Sequence, residues 1–141
     1  MRIPALALPF ALTLAACAPT DNAPPTDVGH GMAVVNVTAT YRERILLPPG
    51  HVLTVRVEDV SLADAPARVL AEHREPLEGR APPYQATLGF PRSQIDPRHT
   101  YAVRAEIRDA AGALRFTTDT RHAVLTNGAP ASADIVMVGV R

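Results

Sequence analysis

From residue 32 onward, apolar and polar residues alternate with period two. In Val35-Asn36-Val37-Thr38-Ala39-Thr40-Tyr41 the odd positions are apolar and the even ones mostly polar, as in a strand with one buried face. Residues 51–58 repeat the pattern with Leu53, Val55 and Val57 inward, and residues 84–90 form a third such run. Residues 101–108 form a fourth, with charges on alternate positions from Arg104. Turn chemistry separates these runs. Pro48-Pro49-Gly50 combines a preset φ with a residue that accepts positive φ, and Asp109-Ala110-Ala111-Gly112 predicts a hairpin into a strand at 114–118. A short strand follows around Ala123-Val124-Leu125, then a loop at Asn127-Gly128.

Two stretches fit less simply. Residues 135–140 are apolar at both parities apart from Gly139, which predicts two covered faces or a mid-sheet position. Residues 65–75 suit either element. Pro66 could open a helix with Arg68 and Glu72 spaced i,i+4, yet Ala67, Val69 and Ala71 alternate as in a strand. Together the pattern predicts an all-β fold: a single small β-sandwich of about seven to eight mostly antiparallel strands, with an open barrel as the alternative. Aromatic content is 4%, so Val, Leu, Ile and Ala must fill the core. Tyr41, Tyr84, Phe90, Tyr101 and Phe116 all fall at inward parity. Core packing is the expectation for them, with a ligand-lining cleft as the lesser alternative.

The beginning of the chain has another character. Met1-Arg2 supplies a positive charge, and residues 3–14 are apolar except for Pro4, Pro9 and Thr13. A bilayer span needs about 20 apolar residues, whereas a signal-peptide core needs about 7–15. The run closes on Leu14-Ala15-Ala16-Cys17, which resembles the bacterial lipobox, and Cys17 is the chain's 1 cysteine. Residues 1–16 are therefore expected to be a cleaved lipoprotein signal peptide. Cys17 is expected to carry diacylglycerol and an N-acyl chain, palmitate among them. Each buried CH₂ contributes about 0.8 kcal/mol, so two or more chains anchor stably. Residue 18 is Ala rather than Asp, which by Gram-negative sorting rules implies the outer membrane, facing the periplasm. Residues 17–31, rich in Pro, Asp, Asn, Thr and Gly, predict a flexible tether of roughly 20 Å mean span. Residues 32–141 form the folded domain.

Charge narrows the partners. Lys+Arg and Asp+Glu are 14 each, every basic residue is Arg, and no basic run occurs, which argues against nucleic acid. Interleaved with Glu43, Glu58 and Glu106, Arg42, Arg44, Arg56, Arg104 and Arg108 predict a solvated face with cross-strand pairs; a docking face for an acidic peptide is the alternative.

Catalytic constellations are sparse. His30, His51, His73, His99 and His122 show neither i,i+4 nor His-x-His spacing, so they predict ordinary surface histidines and no metal site. None of Ser61, Ser93 and Ser132 sits in a nucleophile elbow. Glu58 and Asp59 are adjacent on a strand and face opposite sides; ending the strand and starting the turn into Ser61 is their expected role. No enzyme, and no cofactor beyond the lipid on Cys17, is expected.

Longer stretches resemble a known family. Residues 41–50 read YRERILLPPG, residues 53–61 LTVRVEDVS and residues 63–66 ADAP. Then follow Pro82-Pro83, Ile95-Asp96-Pro97, residues 101–105 (YAVRA), residues 112–119 (GALRFTTD) and residues 124–128 (VLTNG). In this order they resemble the YbaY family of lipoproteins, which includes the YscW-type pilotins of type III secretion. The resemblance implies a β-sandwich, favours strand at 67–72 and implies no enzymatic activity. Pilotins bind a segment of a secretin and escort that channel to the outer membrane. The leading expectation is a non-enzymatic outer-membrane lipoprotein acting as a periplasmic binding or assembly module, held by its lipid and engaging a protein by sheet-edge pairing. Alternatives are a small-molecule or lipid carrier, a secretin pilotin or chaperone, and a periplasmic enzyme inhibitor.

Overall fold

A computed structural model describes residues 31–141. The expected signal peptide, Cys17, His30 and nearly all of the tether lie outside the described residues. Eight strands follow one another: β1 (Met32–Tyr41), β2 (Val52–Asp59), β3 (Arg68–Pro76), β4 (Tyr84–Pro91), β5 (Tyr101–Arg108), β6 (Leu114–Thr117), β7 (His122–Val124) and β8 (Ser132–Gly139). The helical element among them is a 3₁₀ turn, Arg92–Gln94.

The hydrogen-bonded order is β3-β2-β5-β6-β8-β1-β4, with β7 beside β6 on the same edge of β5. Neighbours are antiparallel except β1 and β8, which run parallel from Asn36↔Ser132 to Tyr41↔Met137. The expected sandwich is thereby corrected. Its layers, β4-β1-β8 and β3-β2-β5-β6/β7, are joined on one side by the pairs Phe116↔Gly139 and Thr117↔Val138. On the other side β3 and β4 lie near each other without a ladder. The result is a rolled, nearly closed barrel with one seam.

Side-chain parity explains the roll. Ala33, Val35, Val37, Ala39 and Tyr41 of β1 meet Leu53, Val55 and Val57 of β2 and Val103, Ala105 and Ile107 of β5 in one buried cluster. Full burial of each larger aliphatic chain contributes about 1.5–3 kcal/mol. The five aromatic residues of the inward set are all core, and Tyr41 stacks on Phe116 with centroids 4.6 Å apart. Residues 68–76 are strand, because β2 offers them an antiparallel ladder from Val52↔Pro76 to Asp59↔Arg68. In that ladder Val57 faces Ala71 while Glu58 faces Val69, so Leu70 is an extra residue. This bulge turns both Leu70 and Ala71 toward the core and breaks the alternation. β8 lies mid-sheet, with Ala133, Ile135 and Met137 inward and Val136 and Val138 outward and exposed. The turns behave as their composition requires: Gly50 has φ +97° and Gly112 φ +84°.

Candidate binding surfaces

At the end of the barrel where β1 begins, four polar residues converge. Asp59, the last residue of β2, accepts hydrogen bonds from the Ser61 amide (3.0 Å) and the Ser61 hydroxyl (2.7 Å). Its other oxygen lies 2.6 Å from His99 Nδ1. Ser61 Oγ also accepts from the Thr100 amide at 2.8 Å, and the Val60 amide donates to Thr100 O at 2.9 Å. Burial pushes the Asp59 carboxyl up, but the hydrogen bonds from Ser61 and His99 outweigh it and the net shift is downward. Next to it, the Arg98 side chain and amide hold Asp96 well below the usual carboxylate range.

Ser, His and Asp together invite comparison with a hydrolytic triad, and the order is wrong. A nucleophilic serine needs its hydroxyl on the imidazole. Here the carboxylate stands between the two, and His99 Nε2 faces Asp96 at 4.0 Å. The cluster is a clasp that ties the β2–β3 connection to the start of β5. The turn role expected for Asp59 is correct; its partnership with His99, 40 residues away, is new.

The remaining described histidines are dispersed. His51 is buried, with Nδ1 2.9 Å from Pro48 O, which corrects its expected surface place. His73 Nε2 lies 3.7 Å from Glu75, and His122 opens β7. Arg56 forms the expected cross-strand pairs, donating to Glu72 of β3 at 2.6 Å and lying 3.8 Å from Glu106 of β5, while Arg104 and Arg108 flank Glu106 at 3.4 Å along β5 itself. Glu72 raises the Arg56 pKa against the effect of burial.

A second surface comes from an interruption. Along β5, Val103 pairs with His122 and Glu106 with Thr117, so three steps on β5 answer five on the opposite chain. β6 and β7 are thus one strand broken by two extra residues, a wide bulge pushed outward. Thr118 fastens it: its hydroxyl accepts from Ala105 N at 2.8 Å and donates to Ala105 O at 3.0 Å. Beside it β8 pairs with β6 only at Val138 and Gly139. The bulge leaves a cleft of about 320 Å³ lined by Arg42, Glu43, Asp119, Thr120, Val136 and Val138. Glu43 extends across Gly139, where an added Cβ would meet its Oε1 at 3.0 Å. Beyond Glu43 a further groove takes in Ile45, Arg115 and Val140. The polar run Thr117-Thr118-Asp119-Thr120 was the sequence signal for this interruption.

The third surface is the seam. His73 and Glu75 of β3 stand opposite inward-facing Val55 and Leu53, so polar groups point into the barrel there. Arg80 Nη2 comes within 3.1 Å of Glu75 Oε1, at an angle that makes no hydrogen bond, and neither Glu75 Oε1 nor His73 Nε2 has a hydrogen-bond partner despite being buried. Below it Tyr84, fully buried, donates to Arg80 O at 2.9 Å, and burial together with the neighbouring Tyr41 raises its pKa.

These features define a class: a small, solidly packed β scaffold whose polar clasp is structural and whose unsatisfied buried groups lie at the seam, His73 and Glu75, and beside the bulge, Thr117. Comparison with known proteins gives the family. Residues 30–137 match the family described as type III secretion system lipoprotein chaperone (YscW), and the chain belongs to it. It is 36% identical over 107 residues to the uncharacterized lipoprotein YbaY of Escherichia coli K12, covering 76% of this chain and 55% of that protein. The chain thus spans about half the length of that curated relative. Among solved structures it is similar to an alternative pilotin from the type II secretion system of Vibrio cholerae. The TM-score is 0.74 at 38% identity, over 79% of this chain and 99% of that one. These relatives are described as lipoproteins, chaperones and a pilotin rather than as enzymes.

Proposed function

We propose that this chain is a pilotin-type lipoprotein chaperone: it binds a segment of an outer-membrane secretion channel and accompanies that channel to the membrane. The observation that carries the proposal is the match to the Vibrio cholerae pilotin, which extends through 99% of that chain. The physical character of the domain agrees with it, since the chain offers unpaired strand edges and its Ser-Asp-His cluster is a clasp. In this reading Cys17 carries the lipid anchor, Ala18 permits release to the outer membrane, and residues 17–31 let the domain search near the bilayer. Tethering turns the encounter into a membrane-confined one, which raises the effective concentration of the partner.

The carrier alternative has less support. The barrel interior is filled by Leu53, Tyr84, Tyr101, Ile107, Ile135 and Met137, and the clefts described above lie at its surface on the β6–β8 side. The test is membrane fractionation of cells lacking this chain. Secretin multimers are expected to leave the outer-membrane fraction and return on complementation with the full chain. A secretin that assembles and localises normally without the protein would overturn the proposal.

A further inference from the structure

We infer that the end of the barrel where β1 begins is a membrane-resting face, with the β2–β3 loop, Leu62 foremost, seated in the headgroup layer of a phospholipid bilayer. The inference rests on the lipid anchor at Cys17 and adds how the anchored domain stands on its membrane.

Three loops surround the start of β1: residues 60–67, 92–100 and 125–131. Register gathers them at one end, since Met32 pairs with Pro91, Asp59 with Tyr101 and Tyr101 with Val124. The chain enters here at a fixed point. The Arg92 amide donates to Gly31 O at 2.8 Å, and the Asn36 amide donates to Ala131 O at 3.1 Å. The loops also hold one another: beyond the clasp, the Thr126 hydroxyl donates to His99 O at 2.7 Å. In this arrangement the clasp has a consequence for the surface, because it fixes Ser61 and the next residue is Leu62. Leu62 is 71% exposed, the highest value among the large hydrophobic residues exposed in the described part of the chain. Residues 61–67 are all exposed, and their single charge is Asp64. A leucine presented on a braced loop has nothing to pack against in the free domain.

The anchor selects the occupant. The tether expected over residues 17–31 has a mean span of roughly 20 Å and joins the domain at Met32. The ten residues of β1 extend about 33 Å along the barrel. For the opposite end, where Ile45 and Leu46 are exposed, to reach the same bilayer, the tether would have to run back along the whole barrel at about one and a half times its mean span. The β1 end reaches it without stretching. Charge permits the contact, since the three loops carry Arg92 and Arg98 against Asp64 and Asp96, and Arg98 is bound to Asp96. Arg92 and neighbouring Arg68 are exposed cations beside the loop, placed to meet lipid phosphates while Leu62 goes deeper. One leucine orients the domain; the acyl chains hold it. In this pose the groove of Ile45, Arg115 and Val140 faces away from the membrane.

Because the chain contains no tryptophan, a single introduced one reports its own surroundings. The full chain with Leu62→Trp or Leu46→Trp, both at exposed positions of opposite ends, is purified with its lipid and reconstituted into vesicles of phosphatidylethanolamine and phosphatidylglycerol. Circular dichroism checks that each variant keeps its fold, and Ala65→Trp, exposed in the same loop as Leu62, is a second reporter with the same expectation. On reconstitution the emission of Leu62→Trp is expected to shift to the blue. Lipid brominated along its acyl chains should quench it at least about twofold more than Leu46→Trp, which stays open to acrylamide in the water. Vesicle-bound protein in which both positions are quenched equally, or neither, or Leu46→Trp the more strongly, overturns the orientation and leaves the anchor intact. Wild-type chain that does not float with the vesicles overturns the anchor and the inference together.

Discussion

Two adjacent threonines on the bulge should respond in opposite directions to the same substitution. Thr118 Oγ1 is the acceptor for the Ala105 amide at 2.8 Å, and Ala105 is fully buried in mid-strand. Thr118→Val keeps the side-chain shape and removes that acceptor, leaving a buried N–H without a partner. The carbonyl of Ala105 keeps its bond from the Thr118 amide at 3.0 Å. The cost is therefore that of one orphaned donor, about 1–3 kcal/mol. Thr117 Oγ1 is buried with no hydrogen-bond partner, so Thr117→Val removes a desolvated hydroxyl that gains nothing. That change is expected to be neutral or to stabilise by up to about 1 kcal/mol. The gap between the two variants centres near ~2 kcal/mol, or roughly 8 °C in Tm for a domain of this size. Because the chain contains no tryptophan, urea unfolding is best followed by far-UV circular dichroism, with calorimetry for Tm. A Thr118→Val protein as stable as Thr117→Val would refute the claim that the Thr118 hydroxyl fastens the bulge.

Other outcomes follow from the same geometry. Asp59 has a depressed pKa in the folded state, so its contribution is present above the unfolded value near ~3.9 and is lost as pH falls through the lower folded one. Asp59→Asn should accordingly destabilise at pH 7, with the deficit shrinking below pH 4; an equal deficit at pH 3 and pH 7 would contradict the clasp. Gly50 has φ +97° and an added Cβ would lie 3.0 Å from Ala110 Cβ, so Gly50→Ala should lose at least about 1 kcal/mol in denaturant unfolding. Leu53→Ala removes a fully buried side chain facing the seam strand and should cost about 2–5 kcal/mol by the same measurement. In cells, Cys17→Ala should move the protein from the membrane to the soluble periplasmic fraction without unfolding it; continued membrane attachment would argue against the lipid anchor.

The legible strands were those whose partners impose simple alternation. β1 and β4 read directly because each buries every second residue, Val35 and Leu88 being typical. β3 did not, since Leu70 is an inserted residue and the polar inward positions His73 and Glu75 remove the apolar stripe that would identify a strand. Arg68 and Glu72 then fit a helix equally well. The valines of β8 correctly indicated a mid-sheet place, yet their outward members are exposed because the bulge stands away from them. Burial of His51 depends on the Pro48 carbonyl accepting its ring, which residue spacing does not encode. The Asp59–His99 pair is a product of register between distant strands, so neither parity nor motif spacing could reveal it, and the two-residue bulge shows in the sequence only as the polar run of residues 117–120.

The seam is built by sequence and is not a gap left over from packing. β3 and β4 follow each other along the chain, and strands in that relation commonly pair, because the loop between them is short and its closure entropy small. Here residues 77–83 join them and no ladder forms. Both strands end in proline, Pro76 and Pro91, so the difference lies in the bulge at Leu70 and the carboxylate turned inward at Glu75 on the β3 side. β4 has neither a bulge nor a charged side chain. Leaving backbone donors and acceptors unpaired lowers the stability of the free domain. β3 and β4 therefore close the barrel by proximity without a ladder, and the stability forgone at their unpaired edges is set by the bulge and the inward polar groups of β3.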